Sequence, residues 1–378
     1  MQILCVTQDF PPNSGGIAVF LHNLCVQLSR LGHLVDVVTP TRKGCVEVDV
    51  SQPYRVYRYD CFRWLSCIVP FCRMMIMHKQ RHYDVIFIGQ FMTTHAMGAL
   101  VLRRLLRVPY VILSHGNDMH YCISNWIDKP VAYMILHNAS LILSNSHTTA
   151  KHIQQRGYQG PIQILHPGVK ADEFRPNMDT LEVVKKYKLN GRRVVLSVSR
   201  LVARKGHDSV LRALPNVVKQ IHNVLYLIVG QGKEETRLRR LVTELNLDKY
   251  VLFAGYVEQK ILPALYCICD VFVMPSFALD GGHDYEGFGI VYIEANACGK
   301  PVIGGKSGGI EDAVIDGITG LLVNPDDVEK ISKTITMLLK DKKYASELGK
   351  NGRNRVECEL DWEIVGKKIE EILVNIVS

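Results

Sequence analysis

The sequence predicts two α/β domains, each a mainly parallel sheet with helices on both faces. Three observations carry that expectation. Short apolar runs alternate with helical periodicity through the first half of the chain, and the same alternation restarts after Pro176. Most of the glycine in the second half falls in loops that follow the apolar runs. Strands joined through helices run parallel, and an open α/β sheet receives ligand at the carboxyl ends of its strands.

Taken in order, QILCVTQ is the first strand and VFLHNLCVQLSRLGH a helix that ends at Gly32, followed by the strand LVDVVTP. DVIFIGQ, the helix HAMGALVLRRLLR, PYVILSHG and SLILSNS continue the pattern. In the second half RVVLSVSR and VLYLIVGQG are strands, then YVLFAGYV, VFVMPS and KPVIGG. Pro167, Gly168 and Pro176 punctuate the segment from Leu165 to Asn177 as a hinge. The final DWEIVGKKIEEILVNIV has the pattern of an amphipathic helix.

The 378 residues suffice for two domains, and 47% hydrophobic with 22% charged residues describes a globular chain. A net charge of +8 favours acidic partners: nucleic acid, an anionic membrane surface or a phosphorylated substrate. No nucleic-acid motif and no long basic run appears, which sets nucleic acid last. The start MQILCVTQDF reads as a buried strand and not a secretory leader, so a cytoplasmic protein is expected. IVPFCRMMIM, interrupted by Arg73, is too short to span a bilayer. Cys5, Cys25, Cys267, Cys269 and Cys298 sit in apolar patterns as small hydrophobes, and no CxxC pair suggests zinc.

The chemistry concentrates in four places. Glu286 and Glu294 frame EGFGIVYIE with seven residues between them. Carboxylates accept from sugar hydroxyls, and backbone N–H groups at a helix start suit phosphate, so one ligand carrying both is a nucleotide sugar. SRLVARKG places Arg200 and Lys205 in a loop after a strand, where two cations suit a diphosphate; a solvated basic turn is the bland alternative. Gly15 and Gly16 open a helix after the first strand, without the full GxGxxG of a dinucleotide site. KSGGIEDAV, from Lys306 to Val314, is the fourth.

Together these motifs resemble the retaining glycosyltransferases of family 4, along nearly the whole chain. The resemblance implies the GT-B fold: two Rossmann-like domains facing across a cleft, with the C-terminal helix crossing back to the first. The expected division is 1–175 plus 362–378 for the acceptor domain and 176–361 for the donor domain. By resemblance Glu286 accepts from the transferred sugar and Glu294 holds the ribose. Arg200 and Lys205 bind the diphosphate, and N–H groups of Phe288, Gly289 and Ile290 beside Gly287 point at sugar and phosphate. Val257 lies in the stretch LFAGYV, whose backbone reads the base, and Ser307 to Gly309 shape the sugar pocket's floor. Gly15 and Gly16 approach the donor, and His115 lies beside its sugar. Asp118 is a candidate acceptor contact. Arg204 does not match the motif and is expected at the surface; Phe20 stands where several relatives place a hydrogen-bonding residue.

No metal and no cofactor is expected, and ALDGGHDY with His283 reads better as a loop rim than as a metal site. Its acidic character is similar to GDP-mannose-using members that mannosylate phosphatidylinositol mannosides; UDP-sugars stay open. The expected activity is transfer of a hexose or N-acetylhexosamine to a sugar or lipid-linked acceptor in glycolipid or surface polysaccharide synthesis. With no convincing nucleophile, front-face displacement is the working mechanism. An epimerase or a non-catalytic nucleotide-sugar binding protein of the same fold is the alternative. Arg55, Arg58, Arg63, Arg73, Lys79 and Arg81 interleave with Tyr54, Tyr57, Phe62, Trp64 and Phe71, and Arg103 to Arg107 follow as a second basic cluster. This suits either a peripheral contact with anionic membrane on the inner face or a half-buried helix with snorkelling arginines. The lipid-linked acceptors common in the family favour the first.

Overall fold

The computed structural model describes residues 1–13, 15–60, 68–116, 118–119, 122, 128–279, 281 and 284–378. They form two compact units, Met1–Pro167 with Trp362–Ser378, and Gly168–Asp361.

The first unit is built on a seven-stranded sheet in the order β3-β2-β1-β4-β5-β6-β7. Its strands are β1 (Gln2–Val6), β2 (Leu34–Pro40), β3 (Arg55–Tyr59), β4 (Val85–Ile88), β5 (Tyr110–Ser114), β6 (Leu141–Ser144) and β7 (Ile162–Ile164). All pairs are parallel; Cys5 sits between Val37 of β2 and Phe87 of β4. The central strands read as continuous apolar runs because helices cover both faces. The helix Gly16–Arg30 buries Phe20, Leu21, Leu24, Cys25 and Leu28 on one face. Against it lies the C-terminal helix Trp362–Val377, which buries Trp362, Val365, Ile369, Ile372 and Leu373. A buried aromatic of Trp362's size contributes about 3–5 kcal/mol, which ties the end of the chain to this unit.

The second unit carries six parallel strands in the order β10-β9-β8-β11-β12-β13. They are β8 (Arg193–Val198), β9 (Val224–Val229), β10 (Val251–Gly255), β11 (Val271–Met274), β12 (Val302–Gly305) and β13 (Gly320–Val323). Strand order reverses between β1 and β4 in the first sheet and between β8 and β11 in the second. Such switch points open a crevice beyond the strands' carboxyl ends. Gly15 follows β1, Arg200 follows β8 and Glu286 follows β11, so the sequence motifs stand at these two places.

The first junction lies eight residues earlier than the expected 175/176 boundary. Val169 N–H donates to the Leu360 carbonyl at 2.8 Å and Ala171 N–H to Asp361 at 3.0 Å. Arg353 donates to the carbonyls of Ala171 and Phe174, and Phe174 is buried in the second core. The punctuation at Pro167, Gly168 and Pro176 marked the region, but these contacts assign residues 168–175 to the second unit.

Three strands have no counterpart in the sequence reading. β7 and β13 are three and four residues long, too short for periodicity to register. β3, RVYRY, lies inside the basic and aromatic stretch, and its polar residues masked an edge strand. Two arginines of that stretch are held within the fold. Arg58 pairs with Asp49 at 2.7 Å and Arg81 with Asp36 at 2.6 Å, while Tyr54 is buried. Arg63, Phe62 and Trp64 lie outside the described residues, as does His283. Cys5, Cys25, Cys269 and Cys298 are buried and Cys267 partly so, all as free thiols. Among the described residues no helix is long and apolar enough to cross a membrane.

Candidate functional site

In the second unit, β8 ends at Val198 and the chain turns through Ser199–Gly206 before the helix His207–Val218. Neighbouring loops pin this turn. Ser199 N–H donates to the Val229 carbonyl at 3.0 Å and Leu201 N–H to Gln231 at 2.9 Å. A short 3-10 turn, Ala203–Lys205, then closes on Gly206. Gly206 has φ +71, and a Cβ there would run into the Pro275 carbonyl, so only glycine brings this loop against the end of β11. Arg200 is left exposed, while Lys205 is buried at 8% exposure.

Among the described residues the buried ammonium has one hydrogen-bond partner. Lys205 Nζ donates to Glu286 Oε2, and Arg204 Nη1 donates to the same oxygen at 2.8 Å. Arg204 Nε also faces Asp284 at 3.3 Å. The expectation that Arg204 lies at the surface is therefore corrected: its side chain is only 12% exposed. The motif comparison passed over it because the partner carboxylates lie some eighty residues downstream, and a spacing pattern within one loop does not see them. Burial alone would raise the Glu286 carboxyl, but Lys205 and Arg204 outweigh it and hold the group at about 2. Arg204 and Lys205 are matched by Glu286 and Asp284, and exposed Arg200 leaves the loop net positive, a charge balance that suits an anion.

Glu286 is followed by the helix Ile290–Ala297, whose N-cap Gly289 has φ 93 and no side-chain cap. A Cβ at Gly289 would lie 2.5 Å from the Tyr292 ring, so the turn that aims the first N–H groups outward requires glycine. Gly309 N–H donates to the Glu286 carbonyl at 2.8 Å, which is how the loop after β12 shapes the same corner. Glu294, within this helix, is buried and accepts from the Tyr266 hydroxyl at 2.7 Å. Burial pushes its carboxyl up to about 7, although the Tyr266 bond works the other way. The two glutamates are therefore unlike: one is ionised far into acid, the other titrates near neutrality. Phe288 is buried at 2% in the core, and Val257, just past β10, is buried as well; Gly287 and Ile290 are partly covered.

In the first unit, Gly15 is the N-cap of the helix beginning at Gly16, again without a side-chain cap. His115 follows β5 and its Nε2 donates to the Gly89 carbonyl at 2.9 Å, which places the proton on that nitrogen. Asp118 accepts from His115 N–H at 3.0 Å and from Phe91 N–H at 3.2 Å. Both of its oxygens hold the loops after β4 and β5, so Asp118 braces His115. Phe20 packs edge-on to His115 at 5.5 Å and to Trp362 at 5.3 Å. Phe20 is core here, 1% exposed.

Two switch-point sheets, one ending in a cationic loop over a paired glutamate, are an arrangement that suits an enzyme taking activated sugar donors. The chain matches Glycosyltransferase Family 4 over residues 14–173 and Glycosyl transferases group 1 over 179–355. It belongs to family 4 of the glycosyltransferases. It is 33% identical, over 98% of both chains, to a GDP-mannose-dependent alpha-(1-6)-phosphatidylinositol monomannoside mannosyltransferase of Mycolicibacterium smegmatis. A GDP-mannose-dependent monoacylated alpha-(1-6)-phosphatidylinositol monomannoside mannosyltransferase of Corynebacterium glutamicum is 30% identical over 98% of this chain and 97% of its own. Among solved structures, Anabaena HepE in complex with UDP has a TM-score of 0.84 at 22% identity, covering 99% of this chain and all of that one. That likeness shows the two-domain GT-B fold.

Proposed function

We propose that this glycosyltransferase moves mannose from GDP-mannose, with retention, onto a lipid-linked sugar acceptor. The observation that carries the reading is the convergence of Lys205 and Arg204 on Glu286 at the end of β11, beside Arg200. The names of the relatives supply the donor and the acceptor class. In the proposed reaction the bond from the sugar's anomeric carbon to the diphosphate breaks. The acceptor oxygen bonds to that carbon from the same face, and its proton passes to the departing phosphate oxygen. Arg200 and Lys205 stabilise the leaving diphosphate, and Glu286 accepts from sugar hydroxyls. In the first unit His115, braced by Asp118, and the Gly15–Gly16 turn stand beyond the carboxyl ends of their own strands. No metal takes part. Glycosyl transfer in the presence of acceptor, and no conversion of donor without it, separates this reading from the epimerase.

Glu294 makes the donor contact testable through pH. Its folded value of about 7 exceeds the ordinary glutamate value, so in the unliganded protein it contributes stability below the ordinary range and loses it as pH rises through about 7. Two ribose hydroxyls donating to one carboxyl bond more strongly to the ionised form, so bound nucleotide favours the opposite state. GDP, titrated by calorimetry, is expected to bind more tightly than UDP. Its affinity falls by up to about tenfold per unit as pH drops from about 7.5 to about 5.5. Glu294→Gln removes most of that slope, leaving only what GDP's own phosphate contributes. An equal slope in both proteins would take Glu294 out of the ribose site.

A peripheral membrane contact at the cytoplasmic face is part of the proposal. On the helix Ile68–Arg81, Ile68, Cys72 and Ile76 are exposed four residues apart, so they share a face, with Arg73 and Lys79 exposed near them. Leu105 and Leu106 are exposed beside Arg104 and Arg107 at the end of the helix Thr93–Leu106. Apolar residues edged by cations suit an anionic bilayer. Sedimentation with phosphatidylglycerol vesicles should carry the protein down, neutral vesicles should not, and Ile76→Asp should release it. Equal recovery with both vesicle types would sink the contact.

A further inference from the structure

Beneath the cationic loop, four side chains form one directed line of hydrogen bonds. Ser197 Oγ donates to the Val273 carbonyl. A carbonyl only accepts, so the single proton of that hydroxyl is committed. Ser197 therefore accepts from the Tyr226 hydroxyl at 2.8 Å. With its proton spent, Tyr226 accepts from His207 Nδ1–H at 3.0 Å. Neutral imidazole protonated at Nδ1 carries a lone pair on Nε2. Ser199 Oγ lies 2.8 Å from that nitrogen and supplies the proton in preference to the Arg200 carbonyl at 3.1 Å. Burial, aided by Lys205, holds His207 down at about 3, so the ring stays neutral.

The two ends of this line matter to the loop. Ser199 and His207 bracket residues 200–206, the segment that holds Arg200, Arg204 and Lys205. Ser197, Tyr226 and His207 are all buried to 2% or less, so the line is anchored in β8, β9 and β11. We infer that His207 is a positioning residue for the donor diphosphate: through Ser199 it closes the loop that presents Arg200 and Lys205. This rests on the donor reading above. The bland alternative is a core histidine that merely satisfies Tyr226, and the two differ in which ring nitrogen matters.

Side-chain amides separate them. The Asn amide overlays Nδ1 of histidine and the Gln amide overlays Nε2, so His207→Asn keeps the Tyr226 bond and loses Ser199. His207→Gln does the reverse. Each variant is titrated with GDP and UDP by calorimetry, and its Tm is recorded. With the nucleotide the parent binds better, His207→Asn and Ser199→Ala should each weaken binding about tenfold, the worth of one oriented hydrogen bond. His207→Gln should stay within about threefold of the parent although its Tm falls too. The Ser199→Ala, His207→Asn double variant should bind no worse than either single one, because both remove one contact. Parallel losses in the Asn and Gln variants that follow Tm, or parent-like binding by Ser199→Ala, would overturn the inference. Ser199→Ala leaves the buried ring in place and so carries the test if His207→Asn fails to fold. A parent that binds neither nucleotide overturns the donor reading instead.

Discussion

Lys205→Ala is expected to lower kcat by about two to three orders of magnitude while the protein stays folded, because it removes a buried charge aimed where the leaving diphosphate develops its own. Steady-state kinetics with donor and acceptor, beside a thermal melt, reads both effects. The structure explains why the fold survives. Glu286 keeps Arg204 at 2.8 Å after the lysine is gone, so no buried charge is left without a partner. Near-normal turnover would mean that Lys205 serves only to neutralise Glu286.

Glu286→Ala should behave differently, and the contrast is the sharper test. Removing the carboxylate leaves Lys205, 10% exposed, without its counter-charge beside Arg204, which keeps only the more exposed Asp284 at 3.3 Å. Breaking a buried pair in this way costs about 3–5 kcal/mol. In a unit of this size that lowers Tm by roughly 10 °C. Sugar transfer should be lost, yet GDP should bind at least as tightly as in the parent, since two cations are freed for its phosphates. GDP should also restore more of the Tm than it adds to the parent, by mass action. Unchanged transfer would remove Glu286 from the reaction. Weakened GDP binding in step with lost transfer would show that its role is to order the loop and not to hold the sugar.

The legibility of the site followed the range of the interactions that make it. Arg200, Lys205, Glu286 and Glu294 stood out as candidates because each sits near a strand end or a helix start, and the structure brings Lys205 to Glu286. Arg204 did not stand out, since its partners come from the loop after β11, and nothing in the sequence singles out His207, whose partner Tyr226 comes from β9. Asp118 was a candidate acceptor contact by resemblance alone, and the backbone N–H groups of Phe91 and His115 that its two oxygens hold could not be read from the sequence. The arginines near residue 58 suited either an interfacial cluster or a half-buried helix, and Arg58 and Arg81 face Asp49 and Asp36 inside the fold.

By itself the sequence determined the α/β class, the restart that makes two domains, and most strands, because apolar runs and helical periods are local and recur at fixed spacing. It also determined the family, through motifs whose residues lie close together in the chain. Only the tertiary structure decided that residues 168–175 join the second unit and that Glu286 is shared by two cations. It alone set Glu294 near neutrality and strung His207 between Ser199 and Tyr226. Those outcomes depend on burial and on partners distant in sequence, and a carboxyl in water and one in a core are the same letter until the chain has folded around them.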